Sequence, residues 1–184
     1  MSLSIEGVDL EFQNSRVKIV ALGSLQELSV ADSVVGPLEE GREYEVRYWI
    51  ALEMVKAGYA RFYEDVQMTF LVLNQIHWRE TKLQIGRQIS SLPEFFYPKL
   101  RRYLEDLRQK VSKDASFAGE YAQASGLARD IVNSRLKKII YLTTYPREES
   151  ILQALSEEEM GIFDSGSAIV TGWESNILKV EEHK

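Results

Sequence analysis

The sequence predicts a mainly α protein in which a small α+β domain precedes a helical-bundle domain. Three observations carry that prediction: the apolar period changes from strand-like to helical near residue 70, turn signals cluster before that point, and helix-start signals cluster after it. The expected limits are 1–68 for the small domain, 69–163 for the helical domain and 164–184 for a C-terminal tail. With 184 residues, 45% of them apolar, the chain is long enough for two modest cores.

The first stretch, "MSLSIEGVDLEFQNSR", reaches an acid at Glu6 and has neither a basic n-region nor an apolar h-region, so no secretory leader is expected. No apolar run approaches the roughly 18 residues needed to cross a bilayer. A cytoplasmic protein is the expectation. The absence of cysteine excludes disulfides, thiolate nucleophiles and cysteine-based zinc sites.

Within the small domain, "RVKIVAL" at 16–22 and "YARFYED" at 59–65 alternate as strands do. Between them, "VVGPLEEGREYEV" holds Gly-Pro and Glu-Gly, so the chain reverses there more than once. "VRYWIALEMVKAG" then places Val46, Trp49, Ile50, Met54 and, less regularly, Val55 on one helical face. Gly58 follows where a helix-terminating glycine belongs.

Beyond residue 70, "FLVLNQIHWRET" reads as a helix. A second is expected to start at "SSLPEFF", with Ser91 and Glu94 as a capping box and Pro93 in the first turn. Phe96, Leu100, Tyr103, Leu104, Leu107 and Val111 continue it as an apolar stripe. A long helix over 117–143 is expected to face Tyr121, Ala124, Ala128, Ile131, Leu136 and Ile139 inward, with Arg129, Asp130, Arg135 and Lys138 near the edge. Ser156 and Glu159 form another capping box. The tail "DSGSAIVTGWESNILKVEEHK" is rich in serine and glycine and reads as a loop with one short strand near "AIVTGW".

Candidate chemistry is sparse. Twenty-two basic against 28 acidic residues give a net charge of −6, the wrong sign for a protein that mainly binds nucleic acid. The densest basic stretches, "KLRRYLEDLRQK" at 99–110 and "SRLKK" at 134–138, read as solvated helix faces. His77 and His183 are the two histidines, and an imidazole flanked by Ile76 and Trp78 on a helix is commoner in packing than in catalysis. Neither G-x-x-x-x-G-K-[ST] nor G-x-G-x-x-G occurs. The acids of "EEEM" and "REES" occupy helix first turns, where they complement the dipole. No catalytic residue, metal ligand or cofactor site is expected. Trp78, Phe95, Phe96 and Tyr97 are large rigid groups suited to cores and to interfaces alike.

In order along the chain, "LNQIHWRE", "LPEFFYPKLRRYLEDL", "ARDIVNSRLKKIIYLTTY" and "ILQALSEEEMGIF" resemble the helical domain of GINS subunits, the four-part replication assembly of archaea and eukaryotes. Arg135, Lys138 and Ile139 fall on that family's R-x-x-K-I segment. "GREYEVRYWIALEMVKAGYARF" is similar to its small domain, with Met54 where the pattern has leucine. The tail has no counterpart in the pattern. The order, small domain first, resembles the archaeal subunit related to the eukaryotic second and third subunits.

The resemblance implies a non-catalytic scaffold without cofactor. It implies a 2:2 heterotetramer with a companion subunit of opposite domain order, which binds the MCM helicase and a RecJ-like Cdc45 homologue. DNA contact would be indirect or weak. Trp78, Leu92, Phe96, Tyr97, Ile131, Arg135 and Ile139 are the candidates for subunit contact or domain packing. Leu92, Phe96 and Tyr97 are expected against the helix bearing the last three, and Arg135→Ala is expected to disturb folding less than Phe96→Ala. Two rival readings are a winged-helix DNA-binding regulator, with "WIALEMVKAGYARFYED" as helix and wing, and a small hydrolase using Glu80 or Glu94 as acid.

Overall fold

The computed structural model describes residues 5–30, 33–63, 66–82 and 89–178. Its contacts separate into two units that divide between Thr69 and Phe70.

The smaller unit opens with a helix that the sequence pattern did not reveal, α1 (Ile5–Asn14), which buries Val8 and Phe12. Two apolar positions four residues apart, among Glu6, Asp9 and Glu11, are too few to register as periodicity. β1 (Arg16–Ala21) follows, then a hairpin of β2 (Leu28–Val30) and β3 (Ser33–Val35), then β4 (Glu43–Arg47), α2 (Tyr48–Lys56) and β5 (Ala60–Phe62). β1 is the centre of an antiparallel sheet of order β4-β1-β5. Its register pairs Val17 with Val46 and Ile19 with Tyr44 and Phe62, so alternate residues share one face. Val17, Ile19, Ala21, Val46, Ala60 and Phe62 on that face are buried.

Helix α2 buries Tyr48, Ile50, Ala51 and Met54, whereas Trp49 and Val55, expected inward, are half-exposed. Tyr48 is the reason for the rotation. Its ring lies 4.3 Å from that of Phe12 and 5.5 Å from that of Phe62, joining α1, α2 and β5 in one aromatic run. At the end of α2 the Gly58 amide donates to Val55 and the Tyr59 amide to Met54, the two bonds of a Schellman motif. Gly58 takes φ +79°, a conformation that glycine adopts without steric penalty.

The larger unit contains α3 (Phe70–Lys82), α4 (Phe96–Lys113), a 3-10 turn (Ala115–Phe117), α5 (Ala118–Leu142), the single turn α6 (Glu149–Leu152) and α7 (Glu157–Ile177). α5 packs against α3, α4 and α7. Ile139 and Leu142 of α5 form a buried cluster with Ile151 and Phe163, flanked by Ile89, Leu152, Leu155 and Met160.

Four local expectations are corrected here. Ser91 and Glu94 do not cap α4, which begins at Phe96 after Phe95 takes a left-handed φ of +53° and interrupts the helical path. Leu136 points outward and is 41% exposed, while Arg135 and Lys138, placed at the edge by the sequence pattern, are 0% and 1% exposed. Between Ile131 and Ile139, at i+4 and i+8, the inward position is 135. Finally, 164–177 is not a loop with a strand but the continuation of α7. The Ser156–Glu159 capping box starts that helix, Phe163 anchors it, and Gly166 lets it approach α5 so closely that a Cβ there would lie 2.7 Å from Thr143 Cγ2. Among the described residues, no helix is long and apolar enough to cross a membrane.

Candidate functional site

Three of the helices in the larger unit carry a charged residue where their apolar stripe calls for another apolar one. On α3 the buried positions are Leu73, Ile76 and Glu80; on α5, Arg135 and Lys138 lie among Ile131, Ile139 and Leu142; on α7, Glu159 precedes Phe163 by one turn. The helical period that sends the apolar groups inward sends these charges inward too. There they meet.

Arg135 is the hub. Its Nε and one terminal nitrogen grip Glu159 as a fork, at 2.7 Å to Oε1 and 2.6 Å to Oε2. The same nitrogen that reaches Oε2 also donates to the Ala154 carbonyl at 3.4 Å. The other terminal nitrogen donates to Glu80 Oε1 at 3.3 Å and to the Ser90 carbonyl. These five contacts match the five N–H groups of a guanidinium.

Each carboxylate is also held from other sides. Glu159 Oε1 accepts from the Tyr97 hydroxyl at 2.7 Å, and Oε2 accepts from the Ser156 amide at 3.0 Å in the capping box. Glu80 accepts from the Ser90 hydroxyl and, through Oε2, from Lys138 Nζ at 2.8 Å. Near the end of α3 the Glu80 backbone carbonyl is itself capped, by Lys138 Nζ at 2.8 Å and Ser134 Oγ at 3.2 Å. One charge-neutral cluster thus ties together α3, the segment before α4, α4, α5 and the start of α7.

The electrostatics follow from that geometry. Burial pushes the Glu80 carboxyl upward, but the bonds from Lys138 and Ser90 and the charges of Arg135 and Lys138 outweigh it and hold it below the usual glutamate range. Burial likewise works against the Arg135 cation, and Glu159 and Glu80 more than restore it. Burial, reinforced by the neighbouring Glu159 charge, pushes the Tyr97 phenol far up, so it remains a donor. Glu80 is sealed from solvent, ionised and fully bonded, which is the opposite of a poised general acid. The hydrolase reading of Glu80 therefore fails. Among the described residues, no group of three or more His, Cys, Asp or Glu side chains is arranged to hold a metal ion.

The candidate residues fall into three environments. Phe96, Ile131, Arg135 and Ile139 are buried, Leu92 and Tyr97 are half-buried, and Trp78 is 61% exposed on α3 with the Lys82 ammonium 4.4 Å above its ring. Tyr97 reaches Arg135 through Glu159. His77 lies beside Asp130 of α5, Nε2 to Oδ2 3.4 Å, a contact between two helices. Sequence reasoning missed Glu159, Lys138, Ser90 and Ser134. The signal that could have found Glu159 and Lys138 is the charge at an inward position, which on three helices at once implies mutual neutralisation; Ser90 and Ser134 carry no such signal. The winged-helix alternative draws no support: α2 buries Tyr48, Ile50, Ala51 and Met54, and its one basic residue is Lys56.

No curated protein matches the chain. The family model of the Sld5 group, described as the GINS complex protein helical bundle domain, matches residues 70–178, more than half of the sequence. The match begins at the first residue of α3 and ends one residue past α7, so it coincides with the bundle that the ionic cluster holds together. The chain belongs to the family of GINS complex proteins, subunits of a DNA replication complex.

Proposed function

We propose that this chain is a non-catalytic scaffold of the replication fork. It pairs with a companion GINS subunit of opposite domain order into a 2:2 heterotetramer. That assembly bridges the MCM helicase and a RecJ-like Cdc45 homologue, in the cytoplasm of an archaeon. The observation that carries the reading is where the larger unit keeps its polarity and where it leaves apolar surface. Its ionised groups at the centre are closed to solvent and neutralised, while Val132, Leu136 and Ile140 make an exposed apolar stripe at i, i+4 and i+8 along α5. A protein built this way offers surfaces rather than reactivity.

The domain plan and the site residues belong to the same proposal. The small domain precedes the helical domain, as in the subunit type related to the eukaryotic second and third subunits. Phe96, Ile131, Arg135 and Ile139, with Leu92 and Tyr97, set the packing of the helical domain, and exposed Trp78 serves a contact between subunits. DNA is touched indirectly or weakly, in keeping with the net charge of −6.

Co-expression with the companion subunit, followed by mass measurement of the purified complex, tests the proposal. The expected mass is that of two copies of each chain, and the complex should retain MCM and the RecJ-like protein on a column. A monodisperse monomer that ignores the companion, or hydrolysis of ATP or nucleic acid that a substitution in this chain abolishes, would contradict it.

A further inference from the structure

The two halves of α7 differ in what holds them. From Glu157 to Ser167 the helix has a capping box, the Arg135–Glu159 fork, buried Phe163 and the close approach of Gly166 to Thr143. From 168 to 178 only Val170 is even half-buried. Ile169, Trp173 and Ile177 recur at i, i+4 and i+8 and are 71%, 64% and 63% exposed, with Leu178 beside them at 74%. Helices shorter than about 12–15 residues are marginal in water even with good helix formers. The run Ile169, Val170, Thr171, Gly172 is made of poor ones. Nothing local favours helix here except the half that precedes it.

We propose that 168–178 is a docking segment whose helix is completed by the companion GINS subunit, with Ile169, Trp173 and Ile177 laid against an apolar, uncharged helix face of that partner. The inference rests on the pairing proposed above. Three observations select this occupant. Counting an aromatic side chain at about 150–250 Å², the stripe leaves on the order of 500 Å² of apolar surface in water, more than half of one partner's share of a standard interface. Glu174 is the single charged side chain between Ser165 and Leu178, so the complementary surface is apolar and without a charge to pair. The family match runs through the stripe to Leu178, which makes the segment part of the bundle domain of a multi-subunit complex rather than an appendage.

The test uses the full chain and the purified companion subunit. Trp173→Glu should weaken the complex at least about thirtyfold, as loss of a central aromatic anchor does, and Trp173→Phe should retain most of the affinity. The thermal midpoint of the isolated chain should not change with either, because the side chain is exposed. Amide exchange over 169–177 should lie within about tenfold of the unstructured rate in the isolated chain and slow at least about a hundredfold on adding the companion.

Undiminished binding by Trp173→Glu and by Ile169→Glu/Ile177→Glu would overturn this inference and leave the subunit pairing standing. Self-association of the isolated chain, abolished by Trp173→Glu, would overturn it in favour of a second copy. Failure of the unaltered chain to bind the companion would overturn the pairing itself, and this inference with it.

Discussion

Among the described residues, the buried polar and charged side chains are Glu80, Arg135, Lys138, Thr143 and Glu159, and every one of them lies in the helical unit. The described residues of the small unit include none. Residues 6–69 nevertheless contain 12 acidic and 6 basic side chains, against 16 of each in 70–184. The described charges of the small unit thus lie outside, over a core of aliphatic side chains and the Phe12, Tyr48 and Phe62 rings. The helical unit is neutral overall and keeps charge at its centre. Apolar burial has no direction, so a core built on it tolerates small rotations of its elements. A forked arginine between two glutamates tolerates little, because each acceptor must sit within hydrogen-bond reach of a fixed plane. In the helical unit the register of five segments is set by chemistry as well as by volume.

The comparison can be broken with matched substitutions, one in each centre. Arg135→Ala leaves Glu159 buried without a cationic partner and takes one of two from Glu80, and it should cost about 3–5 kcal/mol, confined to the helical unit. Phe12→Ala removes one buried ring and should cost about 3–5 kcal/mol in the small unit. Native-state hydrogen exchange separates the two. Sequence alone suggests that Arg135→Ala disturbs folding less than Phe96→Ala; with Arg135 and Phe96 both buried, the two losses are now expected to be of similar size.

Sharper and smaller effects follow at two glycines. Gly166→Ala sets a methyl against Thr143 and should cost about 1–3 kcal/mol by overpacking α5 and α7. Gly58→Ala meets open space but must hold φ +79°, and about 1–2 kcal/mol is expected from the backbone alone. Thermal unfolding of each variant checks both values. Equal loss from Gly58→Ser and Gly58→Ala would fit the backbone cause, and full tolerance of Gly58→Ala would refute it.

Why some of this was legible in the sequence and some was not has a physical basis. In "GREYEVRYWIALEMVKAGYARF" Val46 and Met54 are core and Gly58 is a helix stop, as their residue types announce, whereas Trp49 and Val55, read inward from the same stretch, are half-exposed. The stretch of α7 from 164 onward misled because Gly166 and Gly172, among Ser165, Ser167, Thr171 and Ser175, look like a loop; Gly166 is there for Thr143. The ionic cluster was hidden by local explanations that were sufficient one at a time: a glutamate in a first turn, a lysine in a basic run. Glu159 has both roles, capping α7 and receiving Arg135. Only the positions Glu80, Arg135, Lys138 and Glu159 taken together, all on inward faces, carry the message. Trp78 shows the converse, an aromatic whose type suits a core and an interface alike and that the helix turns to solvent.

Acid separates the two units most directly. The folded Glu80 carboxyl is held below its unfolded value, so its contribution is fully present above the ordinary glutamate range, about 4.3, and is lost progressively as pH falls through that value toward the folded one. Protonation leaves Lys138 and Arg135 facing each other with one carboxylate gone. The small unit has no buried carboxylate among its described residues, and lowering the pH relieves the mutual repulsion of its surface acids. Hydrogen exchange of the intact chain, corrected for the intrinsic rate and compared between pH 7 and pH 3.5, measures the opening free energy of each unit at both values. The account predicts that the helical unit loses stability while the small unit holds. Parallel loss in both units, or a helical unit indifferent to acid, would contradict it.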